Sequence, residues 1–185
     1  IIKMQNYHTN VSNILVIGSG GAGLRAAIEA KLSGLSVYVI GKRSKKDSHT
    51  VLAAGGINAS FGNVDIEDSW QQHFADTYLE GYGIGNPKLI ETMAKEAKNS
   101  VLEIDDWGAN FEKLKNGNFD QRFFGAHTYR RTCYKGDFTG LSIQNALLKK
   151  TKELKIPIFD SEYVTELLIN DQQCFGAFSF NTFNG

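Results

Sequence analysis

One stretch, from Asn13 to Gly56, limits what this chain can fold into more than any other. It opens with the apolar run Ile14-Leu15-Val16-Ile17 and breaks into Gly18-Ser19-Gly20-Gly21-Ala22-Gly23. A segment from Leu24 to Ser33 follows, with Leu24, Ala27, Ile28 and Leu32 on one face at helical spacing. Gly34 ends it, and a second apolar run appears at Val37-Tyr38-Val39-Ile40. Strand, glycine turn, amphipathic helix and strand in this order make the first unit of a dinucleotide-binding fold. In such a unit Gly18 permits the tight turn, Gly20 lets backbone amides approach a pyrophosphate, and Gly23 allows the helix to pack closely on the strand. The helix N-terminus adds partial positive charge. With 19 glycines in 185 residues, a bare G-x-G-x-x-G arises by chance, so the specific signal is its placement between strand and helix. The candidate phosphate-binding residues are therefore Gly18, Ser19, Gly20, Gly21, Ala22 and Gly23.

A chain of 185 residues holds one ample domain, or one domain and part of another. Lys+Arg and Asp+Glu number 20 each, so the charge balance favours neither nucleic acid nor a membrane surface as a partner. The two cysteines, Cys133 and Cys174, stand in no metal or redox spacing, which suits a reducing compartment and gives no metal site. No apolar run approaches the length of a membrane span. Residues 1–12 lack a signal-peptide core and read as a polar lead-in.

At the end of the second apolar run, a dinucleotide fold usually places an acid for the ribose hydroxyls. Here that position is Gly41, followed by Lys42 and Arg43. Two readings fit these residues alone: a site for the 2′-phosphate of NADP on Lys42 and Arg43, or a solvated basic loop from Lys42 to Lys46.

The chain continues Asp47-Ser48-His49-Thr50, Val51-Leu52-Ala53-Ala54, Gly55-Gly56-Ile57. Here it resembles the flavoprotein subunit of succinate dehydrogenase and fumarate reductase, which follows its second strand with a short loop, S-H-T/S, several small residues and G-G-I/M. The resemblance implies FAD as cofactor, attached covalently through His49, with Ser48, Thr50, Gly55 and Gly56 around the flavin. It also implies Lys42 in place of the ribose acid. Related flavoproteins such as L-aspartate oxidase share the diglycine but lack the histidine. Two residues depart from the family pattern: Ala54 stands where Gln or Glu is common, and Asp47 where Arg is often found.

Beyond Gly62 the pattern turns helical. Asp65-Ile66-Glu67-Asp68 has the form of an N-terminal cap, and Trp70, Phe74 and Tyr78 recur at spacing four on a helix that stops near Gly81. His73, inside it, reads as structural, because no Cys, His or acid pair completes a ligand set around it. Asn86-Pro87 starts a second helix, with Ile90, Met93, Ala97, Val101 and Ile104 as its buried stripe and Gly108 as its close. Asn116-Gly117 predicts a hairpin turn.

Residues 121–140 form the second constellation, a polar loop rich in arginine and aromatics that ends at a helix start. Such interleaving is compatible with single-stranded nucleic acid, but the segment is short and the net charge zero. The resembled family carries Q-R-x-F-G-G and then R-T-x-x-x-x-D-x-T-G at this distance from the diglycine. By that match Phe124 lines the dicarboxylate pocket, and Arg131, Thr132, Asp137, Thr139 and Gly140 fall on motif positions. His127 stands where Gln is frequent and Phe138 where a basic residue is frequent.

A helix is then expected from Leu141 to Leu154, with Ile143, Leu147 and Leu154 buried. A third parallel strand is expected at Ile156–Phe159, and an antiparallel pair at Tyr163–Ile169 and Cys174–Phe180. By the resemblance, backbone at Val164 contacts the adenine.

The expected fold is α/β: a Rossmann-like, three-layer FAD-binding domain with a parallel sheet and a β-meander, incomplete at its C-terminal end. Its parts are the lead-in at 1–12, the dinucleotide and flavin loop at 13–62, a helical and loop insertion at 63–140, and a helix, third strand and start of meander at 141–185. The resemblance covers residues 12–185 and only the first part of the longer family sequence. It implies an N-terminal fragment of a flavoprotein that interconverts succinate and fumarate and passes electrons to an iron–sulfur subunit. That complex sits on membrane-anchor subunits, with the flavoprotein peripheral on the cytoplasmic side and not inserted. The proton-donor arginine and substrate histidines of the family would lie beyond residue 185, leaving no catalytic residue within the chain. The competing readings are an L-aspartate oxidase-like flavoenzyme, an NADP-binding oxidoreductase domain, and a nucleotide-binding module without catalysis.

Overall fold

The computed structural model describes residues 8–184, so most of the lead-in at 1–12, and the final glycine, lie outside the described residues. In chain order the elements are β1 (Ile14–Ile17), α1 (Gly21–Leu32), β2 (Val37–Gly41), a 3-10 turn (His49–Leu52), β3 (Ile57–Asn58), α2 (Trp70–Glu80), α3 (Pro87–Ile104), a π-helical turn (Asp105–Ala109), β4 (Thr132–Cys133), α4 (Thr139–Glu153), β5 (Ile158–Asp160), β6 (Glu162–Asn170) and β7 (Gln173–Asn181). They divide into two compact units, residues 1–45 with 151–185, and residues 46–150.

In the first unit β1, β2 and β5 form a parallel sheet in that order, with Val16 opposite Val39 and Val39 opposite Ile158. Central β2 buries Val37, Val39 and Ile40 without alternation, as a parallel strand covered on both faces does. From α1, Leu24, Ala27 and Ile28 are fully buried, whereas Leu32 of the expected stripe is 55 % exposed. The reason is local. The chain unwinds at Ser33 and Gly34, with Leu35 N–H reaching back to Ala30 O and Gly34 at φ +85°. Strand β5 starts two residues later than expected, because Ile156 N–H still closes the helix end on Thr151 O. The antiparallel pair β6–β7 turns on Asp171 and Gln172, both at positive φ (46° and 64°), as a two-residue hairpin requires. Asn170 and Gln173 pair within the ladder rather than in the turn.

The second unit is built on a small antiparallel ladder, Ile57 opposite Cys133 and Asn58 opposite Thr132, extended by a bridge from Thr132 to Arg122. Its core gathers Ala59, Ala97, Val101, Ile104, Ala109, Phe111, Phe119, Cys133 and Ala146. Phe119 meets Phe61 and Phe111 in ring contacts at 5.1 and 6.0 Å. Three expectations are corrected here. The cap of α2 is Ser69, whose side chain accepts from Gln72 N–H, because Asp65 and Asp68 are engaged by arginines. The residues α2 buries are His73 and Asp76, while Trp70, Phe74 and Tyr78 are only half-buried. In α3, Ala94 takes the place of Met93, which is 41 % exposed. The Asn86 cap and Pro87 start are as expected, with Asn86 Oδ1 accepting from Lys88 N–H at 3.0 Å. Asn116-Gly117 does turn a hairpin, with Gly117 at φ +87° and Leu114 N–H on Asn118 O. Helix α4 starts at Thr139 and buries Gln144, Ala146, Leu147 and Thr151, leaving Ile143 half-buried.

Candidate functional site

In the first unit the glycine turn links β1 to α1. Gly18 holds φ +119°, a region L side chains avoid, and its N–H donates to Ile40 O of β2 at 2.8 Å. A Cβ on Gly23 would land on the Gly18 carbonyl oxygen, so helix and turn approach as closely as backbone allows. The N-cap of α1 is Gly20; no side chain bonds to the cap and no acid lies in the first turn. No acid of the helix's own first turn offsets the partial positive charge of this helix end.

The missing ribose acid has a structural reason. A Cβ on Gly41 would strike Ser19 Oγ, and Ser19 is itself buried against the turn. A side chain at that position would require the Ser19 hydroxyl to move. The following basic residues are not merely solvated. Lys42 Nζ stands 4.8 Å from the Tyr163 ring centroid, and Lys45 pairs with Asp160 at 2.7 Å. Val164 lies in β6 opposite Ser179, beside a register shift of the hairpin.

In the second unit, residues 48–56 form a loop held at several of its carbonyls. Ser48 O accepts from Val51 N–H at 3.0 Å, Thr50 O from Ala53 N–H at 3.2 Å, and Ala53 O from Gly140 N–H at 2.7 Å. Gly140 is required by this contact, since a Cβ there would overlap Thr50 O. Arg122 takes the next two carbonyls: Nη2 donates to Ala54 O at 3.2 Å and to Gly55 O at 2.9 Å, and Nε to Gly55 O at 3.3 Å. The same Nη2 reaches Gly136 O at 3.3 Å, and the guanidinium lies 4.2 Å over the Tyr134 ring. Tyr134 donates to Asp120 Oδ2 at 2.7 Å, a bond that raises its pKa. Gly56 does not tolerate a side chain, and Gly55 takes one only if the exposed Phe124 ring moves. A Cβ on Gly55 would enter the Phe124 ring, and one on Gly56, at φ +134°, would meet Thr132 and Cys133. His49 opens the 3-10 turn with an exposed side chain, while the Ser48 hydroxyl beside it is buried without a partner among the described residues. Phe124 flanks a shallow groove of about 320 Å³ with Ala54, Gly55, Arg122, Phe123 and Asp137.

Behind β4 lies a charged cluster that sequence reading missed. Arg131, fully buried, donates from Nη2 to Asp68 at 2.9 Å and pairs with Asp76 at 2.8 Å. Burial raises the pKa of Asp68 despite the arginine. Burial acts the same way on Asp76 but is outweighed by bonds from Thr128 and Gln72 and by Arg131, so its pKa is lowered. His73 is pushed down to about 4 by burial and by the Arg131 charge. Burial and Arg131 also lower His127, whose Nε2 contacts Asn58 Nδ2 at 3.1 Å. His73 is buried beside the Arg131–Asp68–Asp76 ion triad, its Nδ1 without a partner among the described residues. Part of the signal was available in the sequence as His73 and Asp76 at i, i+3 on α2 with Asp68 just before it, but their arginine partner lies 55 residues or more downstream. Cys133 is buried and its pKa is pushed up to about 12, which leaves an inert thiol. Among the described residues no group of three or more His, Cys, Asp or Glu could hold a metal ion, and no helix is long and apolar enough to cross a membrane.

Comparison with known proteins gives this geometry a context. Residues 13–183 match the FAD binding domain family. A fumarate reductase (CoM/CoB) protein of Methanothermobacter marburgensis is 40 % identical over 173 residues, which is 93 % of this chain and 32 % of that protein. The succinate dehydrogenase flavoprotein subunit of Rickettsia conorii is 35 % identical over 191 residues, 99 % of this chain and 32 % of that protein. Among solved structures, the Mycobacterium smegmatis Sdh1 complex in its apo form matches with TM-score 0.86 and 41 % identity, over 91 % of this chain and 31 % of that one. The chain spans about a third of the length of the curated relatives it matches. The chain belongs to the FAD binding domain family, and its likeness to fumarate reductase and succinate dehydrogenase flavoprotein subunits runs through that region.

Proposed function

We infer that this chain is the FAD-holding portion of a flavoprotein that interconverts succinate and fumarate and delivers or receives electrons through an iron–sulfur subunit. The names of its relatives support the reaction. The residues present fit the cofactor. A Cβ on Gly23 would strike the Gly18 carbonyl, so the turn packs tightly on the helix, and α1 begins without a side-chain cap or an acid in its first turn. The orphaned Ser48 hydroxyl next to exposed His49 fits a ligand at the loop.

The observation that carries the reading is the loop from Ser48 to Gly56, held at the carbonyls of Ser48, Thr50, Ala53, Ala54 and Gly55 and ending on a diglycine packed against Phe124 and β4. Bound FAD supplies the hydride acceptor or donor. Gly18, Ser19, Gly20, Gly21, Ala22 and Gly23 hold the pyrophosphate against the helix N-terminus. Lys42 and Val164 hold the adenosine end. Ser48, His49, Thr50, Gly55 and Gly56 frame the flavin, with His49 carrying it covalently at the 8α-methyl. Phe124 excludes water from one wall of the dicarboxylate pocket. The protein sits peripherally on the cytoplasmic side of a membrane through anchor subunits. Alone, these 185 residues do not turn over succinate, since the resembled family draws its proton donor from a later part of its chain.

The test is a denaturing gel of the longer protein that carries this chain. A fluorescent flavin band in the unmutated protein, lost in His49→Ser while FAD remains in the native protein, is the expected result. A band surviving in His49→Ser would place the linkage elsewhere, and colourless native protein would overturn the flavin reading itself.

A further inference from the structure

Arg122 stands out among the polar groups near the loop because it spends its donors on main chain rather than on an acid. Its guanidinium holds the carbonyls of Ala54, Gly55 and Gly136, and it is stacked on Tyr134, which Asp120 fixes in turn. Arg122 is itself held by main chain, exchanging both backbone bonds with Thr132 at 3.1 and 3.2 Å. The backbone of the residue that grips the loop thus belongs to the ladder that supports it.

The consequence follows from peptide planarity. No peptide bond among the described residues is cis, and in a trans unit the C=O and the next N–H point in opposite directions. With the carbonyls of Ala54 and Gly55 turned to the guanidinium, the N–H groups of Gly55 and Gly56 point away from it. Glycine is what such a segment needs, because the diglycine otherwise has the widest choice of peptide orientations in the loop. The Nε–Nη2 edge grips Gly55 O from two fixed directions while Nη2 also reaches Ala54 O, a planar arrangement that the point charge of a lysine does not reproduce.

We propose that Arg122 is a positioning residue: it locks the Ala54–Gly56 peptides so that the amides of Gly55 and Gly56 are fixed donors toward the bound flavin ring. Resting on the FAD reading above, this assigns the loop an electrostatic task as well as a shape. Preorganised amides favour the reduced, more electron-rich ring, so the potential of the flavin depends on a residue that does not touch it.

The experiment is potentiometric titration of the flavin in the longer FAD-loaded protein, comparing unmutated protein with Arg122→Lys and Arg122→Met, with FAD per chain measured alongside. The expected result is FAD retained and the reduced-to-oxidised ratio at a given potential lowered about tenfold, which is a fall of about 30 mV for a two-electron couple. The lysine variant should fall as far as methionine, since restored charge without the fork does not orient both peptides. Equal potentials in all three proteins would overturn the role of Arg122 and leave the FAD reading intact. Absence of flavin from the unmutated protein would overturn both. If methionine releases FAD, the lysine variant decides: a lowered potential supports the proposal, and an unchanged potential overturns it. Release of FAD from the lysine variant too would also overturn it, making Arg122 a determinant of binding instead.

Discussion

At the scale of single residues, the glycines of the second unit are not equivalent. A Cβ on Gly140 would overlap the Thr50 carbonyl and crowd Ala53, all of it backbone. A Cβ on Gly55 would meet only the end of the Phe124 ring, which is 57 % exposed and able to swing. Gly140→Ala should therefore cost about 1–3 kcal/mol in urea unfolding, whereas Gly55→Ala should stay within about 0.5 kcal/mol and show itself in flavin behaviour. Equal losses would mean the loop relaxes more freely than its hydrogen bonds imply. His73 gives a pH signature. Its native pKa of about 4 lies below the unfolded value near 6.5, so the unfolded chain binds the proton first. Its contribution is fully present above about pH 6.5 and is lost as pH falls toward 4, on the order of 3 kcal/mol. The groups facing it are Arg131, Asp76 and His127, and Asp68 joins them through Arg131. The raised pKa of Asp68 acts in the opposite sense, its contribution falling as pH rises through the folded value. The stability difference between unmutated protein and His73→Gln across pH 4–7 isolates the histidine, and a flat difference would remove this account.

At the scale of elements, what joins α2 to β4 is charge rather than the aromatic stripe. Phe74 and Tyr78 stack on each other at 6.0 Å and Trp70 takes Lys95 over its face at 4.4 Å, so these rings remain at the half-buried edge. Buried Asp76 and the Asp68 that precedes the helix instead share Arg131, which belongs to the segment leading into β4. Removing the cation leaves two buried carboxylates without a counter-charge. Arg131→Met should cost about 3–5 kcal/mol, and adding Asp68→Asn and Asp76→Asn should recover most of it. Urea midpoints of the single and triple variants check both statements. No recovery in the triple variant would mean that the shape of the arginine, not its charge, holds the elements together.

At the scale of the whole molecule, the β6–β7 hairpin is one of several places where large apolar side chains are exposed. The β6–β7 hairpin exposes Leu167, Ile169, Phe175, Phe178 and Phe180, with Ile169 and Phe175 at 63 % and 68 %. Exposed apolar side chains gathered on one hairpin are an aggregation liability or an interaction surface. The isolated 185-residue chain should bind a hydrophobic dye strongly and self-associate with concentration, and Ile169→Lys with Phe175→Lys should reduce both. Dye binding unchanged by those substitutions would place the exposed surface elsewhere.

The parallel sheet was legible because its signals are local. Val37 to Ile40 reads as a buried strand, and Gly18, Gly20 and Gly23 mark a turn whose geometry needs them within a few residues. The His49 loop was legible only through its likeness to a family, since a lone histidine before two glycines has no physical signature of its own. The sequence left open why Gly41 is not an acid, and only the packing of Ser19 against it supplies a reason. The cap of α2 was misread for the same kind of cause: Asp65 and Asp68 have capping chemistry, but Arg130 and Arg131, more than 60 residues later, claim them. Arg122 carried no assignable role until the Ala54 and Gly55 carbonyls were seen on its guanidinium. Propensity, periodicity and turn chemistry act over a few residues, so the chain alone determined its strands, helices and glycine turn. Which polar groups end up facing each other, and which carbonyls an arginine holds, depends on contacts between distant segments, and those the tertiary structure alone decided.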